Sequence, residues 1–367
     1  MDVVETNRIG YAGGAVDVLV DTAGWDASRP QLWPSVGMYP CYDELLYDLM
    51  TLDEVRNTAY RTALERTAPG RSALDIGTGR DLNWAIEAVA GGATEVIAVE
   101  GMPETYAMAR ERLADLGWGD RIKLCQGLST DLNLDRRAEL CVSEIIGDIG
   151  GAEGAAVVLA DARRRLTTPD AVFVPDSCAT FAGAVCFDDI FGGETGFFAE
   201  SLDLLSQAFT IHSGPFDVLL GVANAGPEAL VTDHARLEQL EFNGDLAVTG
   251  DTSATLTVRR PGRVDGLLLW IELRCLPGGE PVNSLTMRTN WMPVYLPLFE
   301  WPCEVRPGDR LDLGFHYAPA EDGVHPDYSV TARLRTADGE AGGEHHVRHR
   351  PTDFRAHPVY ERLFPAR

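Results

Sequence analysis

Ser72-Ala73-Leu74-Asp75-Ile76-Gly77-Thr78-Gly79-Arg80-Asp81 decides the fold of this chain. The apolar run reads as a short buried strand, the glycines as a tight turn, and Leu82 to Ala90 as the helix that follows. That order begins a nucleotide-binding α/β unit: the glycines let the backbone approach a ligand, and the helix N-terminus offers free N–H groups. A lone Gly-x-Gly is a weak signal. Here a second strand, Glu95-Val96-Ile97-Ala98-Val99, ends in Glu100, about twenty residues after the turn, where a carboxylate is placed to accept both ribose hydroxyls. The turn opens with Asp75 and carries Asp81 at its third glycine position. Acids there repel a pyrophosphate but not a sulfonium or an ammonium, so the pattern predicts S-adenosylmethionine rather than a dinucleotide.

The alternation continues outward from this unit. A helix is expected from Glu104 to Leu116, a strand over Ile122-Lys123-Leu124-Cys125, and a strand at Leu140-Cys141-Val142. A helix from Ala155 to Leu166 and the strand Ala171-Val172-Phe173-Val174 complete it. Strand–helix repeats imply a parallel sheet with ligands at the strand C-terminal ends, so the Gly turn, Glu100, Ser129 and Glu144 converge on one crevice. The loop leaving the fourth strand, Ser143-Glu144-Ile145-Ile146-Gly147-Asp148-Ile149-Gly150-Gly151-Ala152-Glu153, has no periodicity, and its three glycines allow it to fold back. Folded so, it brings Glu144 and Glu153 together. Two carboxylates facing one cavity repel unless a cation lies between them, and a planar guanidinium fits that gap bidentately. The plainer alternative is a surface loop with two unrelated acids.

On the N-terminal side, Leu45, Leu46, Leu49, Met50, Val55, Ala59 and Tyr60 recur at helical spacing, giving two short helices between Tyr42 and Leu64, with Thr51 or Asp53 as the cap at their join. Residues 1–35 mix Gly, Asp, Trp and Pro and read as an irregular lid or arm. After Val174-Pro175-Asp176 the chain turns to short alternating runs separated by Asn243-Gly244, Pro261-Gly262, Pro277-Gly278 and Pro307-Gly308, the pattern of an antiparallel sandwich or barrel. One insertion, Asp188 to Phe209, places Phe197, Phe198, Leu202, Leu204 and Leu205 at helical spacing. Exposed aromatics there suit a docking arm for a second subunit; the alternative is a helix packed on its own barrel. The domains expected are an N-terminal segment (1–35), a cofactor domain (36–175), a barrel (176–345, with the arm at 188–209) and a tail (346–367).

Composition narrows the partners. With 31 basic and 56 acidic residues the net charge is −25, which argues against nucleic acid or an anionic membrane and favours a cationic substrate. Seven scattered cysteines, none in a Cys-x-x-Cys pair, suggest reduced thiols in a cytoplasmic protein without a zinc site. The N-terminus has acids where a signal peptide needs bases, and no long apolar run predicts a membrane span. Glu344-His345-His346-Val347-Arg348-His349 is expected to be a basic tail rather than a metal site.

From about Met38 to Trp301 the chain resembles the protein arginine methyltransferases. The residues that carry the resemblance are Asp53-Glu54-Val55-Arg56, Leu74-Asp75-Ile76-Gly77-Thr78-Gly79, Val99-Glu100, Ser143-Glu144 through Glu153, and Thr289-Asn290-Trp291. The spacing of the two glutamates is that of the family's paired-glutamate loop. The resemblance implies a Rossmann-like S-adenosylmethionine domain followed by an antiparallel β-barrel with an inserted dimerisation arm, and hence a homodimer. It implies that Arg56 pairs with the cofactor carboxylate, that Asp75, Gly77 and Gly79 line the methionine end, that Glu100 holds the ribose, and that Glu144 and Glu153 clamp the guanidinium. Ser129 and Thr130 stand where the family's adenine-contacting Val-Glu pair is found.

Several positions depart from the family pattern. Asp81 replaces the third motif glycine. Ile145, Ile146, Asp148 and Ala152 replace larger residues of the glutamate loop, and Asn290 replaces the histidine of Thr-His-Trp, beside Trp291 on the substrate side. Asn carries no titratable ring. Asp148, an added acid near the pocket, suits the ammonium of a free amino acid, which an arginine within a peptide lacks. Some bacterial relatives methylate free arginine or related guanidines in natural-product pathways. The expectation is therefore N-methylation of arginine, with free L-arginine ahead of an arginine-containing peptide. A methyltransferase with a non-guanidine acceptor, or a non-catalytic assembly protein, are the alternatives.

Overall fold

The computed structural model describes residues 4–41 and 44–366. Tyr42, the expected start of the first helix, the side chain of Leu45, and the outermost terminal residues lie outside what is described.

The first layer is a five-stranded parallel sheet. Its order in space is Ile122–Gln126, Glu95–Glu100, Ser72–Ile76, Ala138–Ser143, Thr167–Val174. Every neighbouring pair is parallel. Helices Asn83–Ala90, Pro103–Leu116 and Ala155–Arg165 make the crossovers, at the positions the alternation predicts. Leu74, Leu140 and Val142 are buried in these strands beneath Ala85, Ala88, Leu159 and Ala162. Strands covered on both faces need near-continuous apolar sequence, which is why these runs were legible.

The two expected helices before the sheet are Glu44–Thr51 and Glu54–Thr67. Asp53 caps the second, its carboxylate accepting from the Arg56 amide.

The rest of the chain is a mostly antiparallel strand domain, including a ten-stranded sheet and a four-stranded sheet. Residues 4–35, expected as part of an irregular lid or arm, instead contribute strands to it. Val4–Tyr11 and Gly14–Asp21 form a hairpin, and Gln31–Ser35 pairs antiparallel with Leu219–Ala223. Val16, Val18 and Val20 face the core.

The helical insertion is present as Phe187–Phe191 and Leu202–Ile211, joined through the short strand Phe197–Phe198. Its aromatics are not exposed. Phe197 and Phe198 pair beside the hairpin strand Gly14–Asp21, and Phe209 packs on Phe216 and Phe364. The apolar face expected to await a second subunit is filled by this chain's own hairpin and C-terminal helix Pro358–Leu363, because burying three phenylalanines in place outweighs leaving them in water.

Among the described residues no helix is long and apolar enough to cross a membrane.

Candidate active site

The crevice opens at the C-terminal ends of the parallel strands, where the order reverses on either side of Ser72–Ile76. Gly77 and Gly79 adopt φ of +76° and +67°, which a side chain would strain. The amides of Gly77 and Thr78 donate to the Val99 carbonyl at 3.0 and 3.1 Å, tying the turn to the neighbouring strand. Glu100 ends that strand. One of its oxygens accepts from the Gly79 amide at 3.0 Å and the other from Met102 at 2.9 Å. Burial pushes the Glu100 pKa up, and those backbone donors pull it back.

Asp75 lies beneath the turn and is fully buried. The Thr78 hydroxyl donates to its Oδ2 at 2.6 Å, while Oδ1 has no hydrogen-bond partner, and burial pushes its pKa up to about 7. Ser129 and Thr130 follow strand Ile122–Gln126 on the same edge. Both carbonyls accept from Arg165 Nη2, at 3.0 and 2.9 Å, so the loop is pinned from below. Tyr47, not singled out from sequence, reaches over the turn from helix Glu44–Thr51. Its ring lies 4.3 Å from the Arg80 guanidinium, and its hydroxyl is 3.3 Å from Thr105 Oγ1. A carboxylate at the end of strand Glu95–Glu100 and the acids beneath and after the turn suit a cofactor bearing a diol and positive charge. They oppose a pyrophosphate.

The glutamate loop occupies the other side of the crevice, and both domains hold it. The Ser143 hydroxyl donates to the Ile76 carbonyl at 2.9 Å, and Tyr60 donates to the Ser143 carbonyl at 3.1 Å. Trp291 Nε1 donates to the Ile146 carbonyl at 2.7 Å. Gly150 and Gly151 donate to Thr180 and to the buried Glu238 at 3.0 and 3.2 Å. A Cβ on either glycine would come within 2.8 Å of Cys178 Sγ or Glu238 Oε1, so the loop folds back here because these two positions lack side chains.

Three acids gather in the fold of the loop. Arg56, only 2% exposed, donates from Nη1 to Glu144 Oε2 at 3.0 Å. Burial raises the Glu144 pKa to about 7; Arg56 pulls it down and Asp53 pushes it up. Asp148 accepts from the Ser35 hydroxyl at 2.6 Å and the Met292 amide at 2.8 Å, and burial brings its pKa to about 6. Glu153 is pushed well above the carboxylate range by burial, then by the charges of Glu144 and Asp148. Three acids therefore lie together with Arg56 as the cation beside them, and Glu153 feels both of the others.

The barrel stretch Thr289-Asn290-Trp291 reaches this site. The Thr289 hydroxyl and the Asn290 amide both donate to Asp53 Oδ2, the latter at 2.6 Å. Trp291 is buried and props the loop from behind rather than facing a substrate. Arg56, assigned from sequence to the cofactor carboxylate, is engaged here by Glu144, the Met50 carbonyl and Asn57. The residues that sequence reasoning missed are Tyr47, Ser35, Gly37 and Glu238. The last three act across long sequence separations and leave no local signal.

The segment Glu344 to His349 covers the end of an edge strand, Gly339–Val347, and the two residues after it. His349 stacks on His325 with centroids 4.0 Å apart, and both rings lie against Asp322. Among the described residues this is the one group whose ligand-type atoms come together in a metal-like cluster. Asp322 Oδ2 takes a nitrogen of each ring, at 2.6 Å from His325 Nδ1 and 3.3 Å from His349 Nε2, so the three side chains pair with one another.

Comparison with known proteins gives the same picture. An arginine N(omega)-methyltransferase of Streptomyces achromogenes subsp. streptozoticus is 30% identical over 275 residues, covering 72% of this chain and 73% of that protein. Protein arginine N-methyltransferase 7 of Drosophila yakuba is 27% identical over 64% of this chain, which spans only 37% of that longer protein. The fold matches the Trypanosoma brucei PRMT1 enzyme–prozyme complex, solved with AdoHcy, at a TM-score of 0.66 and 22% identity, covering 83% of this chain and 98% of that one. Arabidopsis thaliana protein arginine methyltransferase 10 matches at 0.66 and 17%, covering 82% and 97%. The chain matches no protein-family model.

Proposed function

The chain belongs to the arginine N-methyltransferases, S-adenosylmethionine-dependent enzymes, and we propose that its acceptor is the guanidinium of free L-arginine. The observation that carries this reading is the third acid: Asp148 lies close enough to Glu153, with Glu144, to raise its pKa. A guanidinium satisfies two carboxylates. A second positive group, the α-ammonium of free arginine, satisfies the third, and an arginine within a chain lacks it.

Glu100 would hold the ribose hydroxyls. Gly77 and Gly79 would let the backbone approach the methionine end, with Asp75 supporting the turn, Arg56 at the cofactor carboxylate, and Ser129 and Thr130 beside the adenine. When bound, S-adenosylmethionine supplies an electrophilic methyl on a sulfonium. The protein's part is orientation and electrostatics. Glu144 and Glu153 grip the guanidinium and draw its positive charge away from the attacking nitrogen, leaving that lone pair available. Simple prior deprotonation is ruled out by a guanidine pKa above ~12. The acceptor nitrogen must then release a proton. Glu153, one of the two carboxylates gripping the guanidinium, is the group proposed to take it; Asn290, whose backbone amide bonds Asp53, has no ring to do so.

Mass spectrometry tests this with purified protein, S-adenosylmethionine and either free L-arginine or an Arg-Gly-rich peptide, beside Glu144→Gln. One added methyl mass on free arginine, lost in the variant, is the expected result. Modification of the peptide alone would transfer the assignment to protein arginine, and no modification of either would discard the guanidine reading.

We also propose a homodimer, supported by the multisubunit PRMT1 complex that the fold matches and not by the insertion's aromatics, which this chain covers itself; sedimentation at micromolar concentration showing only monomer would reject it. Seven scattered cysteines, none in a Cys-x-x-Cys pair, support a cytoplasmic setting, which cell fractionation checks.

A further inference from the structure

Residues 35–37 touch two of the three acids. The Ser35 hydroxyl donates to Asp148 Oδ2 at 2.6 Å. Gly37 faces Glu153: a Cβ there would lie 2.6 Å from Glu153 Oε1 and 3.7 Å from its Cδ, with no other atom within 4 Å. We infer that this N-terminal segment is a fixed wall of the acceptor pocket, that Ser35 presets Asp148 and Gly37 seats Glu153, and that the wall selects a single guanidino amino acid over an arginine within a chain. The inference rests on the free-arginine reading above and adds residues that no resemblance supplied.

The wall is built in, not draped over. Strand Gln31–Ser35 pairs along its length with Leu219–Ala223 and through Leu32 with Phe197. Val36, Met38 and Tyr39 continue from it into the barrel core. Opening this side for a polypeptide would break a strand out of a ten-stranded sheet and expose that core. Local openings that are frequent enough to serve turnover involve segments with few buried apolar contacts, and this is not one. A small acceptor need only enter end-on.

The hydrogen bond from Ser35 has a direction that matters. A hydroxyl donating to a carboxylate favours its charged form. It also fixes Asp148 in one rotamer together with the Met292 amide, so the carboxylate is held ready for an ammonium. Gly37 acts through volume. Its φ is outside the left-handed region, so alanine is tolerated by the backbone. The added methyl meets only the far end of a flexible side chain, so Glu153 moves and the fold does not. This separates a functional effect from a loss of stability.

The experiment measures steady-state methylation by wild type, Ser35→Ala and Gly37→Ala with three acceptors: L-arginine, 5-guanidinopentanoate, which lacks the α-ammonium, and an Arg-Gly-rich peptide. Melting temperature and S-adenosylmethionine affinity are measured alongside. Gly37→Ala is expected to lower kcat/KM about 10–10²-fold on arginine and guanidinopentanoate alike, as a misplaced clamp does, with melting and cofactor affinity unchanged. Ser35→Ala is expected to raise KM about tenfold on arginine alone, the loss of one charge-assisted hydrogen bond. Wild type that prefers arginine while Gly37→Ala keeps wild-type kcat/KM overturns the seat. A Ser35→Ala loss equal on guanidinopentanoate overturns the presetting of Asp148. Wild type that modifies the peptide and not arginine rejects the free-substrate reading and the enclosing wall together; a fall on the peptide in Gly37→Ala then still supports the seat of Glu153.

Discussion

Arg56 and Glu144 form an ion pair in the interior, 3.0 Å apart, and it joins the cofactor half of the crevice to the acceptor half. Arg56 lies in the first turn of the second N-terminal helix, whose cap, Asp53, is also held by the barrel. Glu144 starts the loop that carries the other acids. One interior cation thus sets where the acceptor clamp begins. Replacing Arg56 with Met should strand Glu144 as a buried unpaired charge, at a cost of about 3 kcal/mol or more. Stability should recover as pH falls from 8 to 5, because Glu144 then takes a proton. Urea unfolding at both pH values checks this, and an equal loss at both would refute it.

Removing one carboxylate of the clamp should cost at least ~10²-fold in rate, about 2.7 kcal/mol. Glu144→Gln and Glu153→Gln should each do so while S-adenosylmethionine still binds. The double variant should lose far less than the product of the two, since the acids act as one grip. Kinetics on arginine beside calorimetry of cofactor binding would test both halves. Independent, multiplying losses would mean that the glutamates serve separate functions.

The raised carboxylate pKa values set a pH profile for the ligand-free protein. Glu144 goes from an ordinary 4.5 to about 7, Asp148 from 3.8 to about 6, and Asp75 from 3.8 to about 7. In each case the folded state binds the proton more tightly than the unfolded chain. That contribution is fully present below pH 4 and is lost as pH rises through 6 to 7. Melting temperature without ligands should therefore fall across this window, and saturating arginine should flatten the fall. The KM for arginine should drop with rising pH through about 7, as the clamp ionises. A melting temperature that rises steadily from pH 4 to 7 would contradict the assignment.

The parts of this site that were legible in the sequence are those where function is written locally. Ser72 to Asp81 could be read because a buried parallel strand is continuously apolar and its turn needs glycines. The Glu144–Glu153 loop could be read because acids, glycines and apolar residues mix there without a period. What was not legible lies in pairing at long range. Ser35 meets Asp148 113 positions away, and nothing local in Trp33-Pro34-Ser35-Val36-Gly37 announces it. The hairpin was within reach: Val16, Val18 and Val20 alternate after the turn at Ala12-Gly13, a period-2 signal beside a tight turn. Phe197 and Phe198 look free to dock a partner until that hairpin is placed beside them. An apolar face in sequence gives no sign of which apolar surface will cover it.

Asp53 should prove as sensitive as the acids that face the substrate, although it faces none. Its Oδ1 caps the helix by accepting the Arg56 amide at 2.9 Å, and its Oδ2 takes the Thr289 hydroxyl and the Asn290 amide. Asp53→Ala removes a cap worth about 1 kcal/mol and leaves interior donors unpaired at about 1–3 kcal/mol more. Asp53→Asn keeps one acceptor oxygen and can serve only one side. Cofactor domain and barrel then lose their shared anchor, and Arg56 and Glu144 shift with it. Asp53→Ala should lower stability by about 2–4 kcal/mol, while Asp53→Asn loses less stability but still raises the KM for arginine. Chemical unfolding and acceptor kinetics on the two variants separate these effects. If Asp53→Asn has wild-type KM, the anchor serves the fold alone.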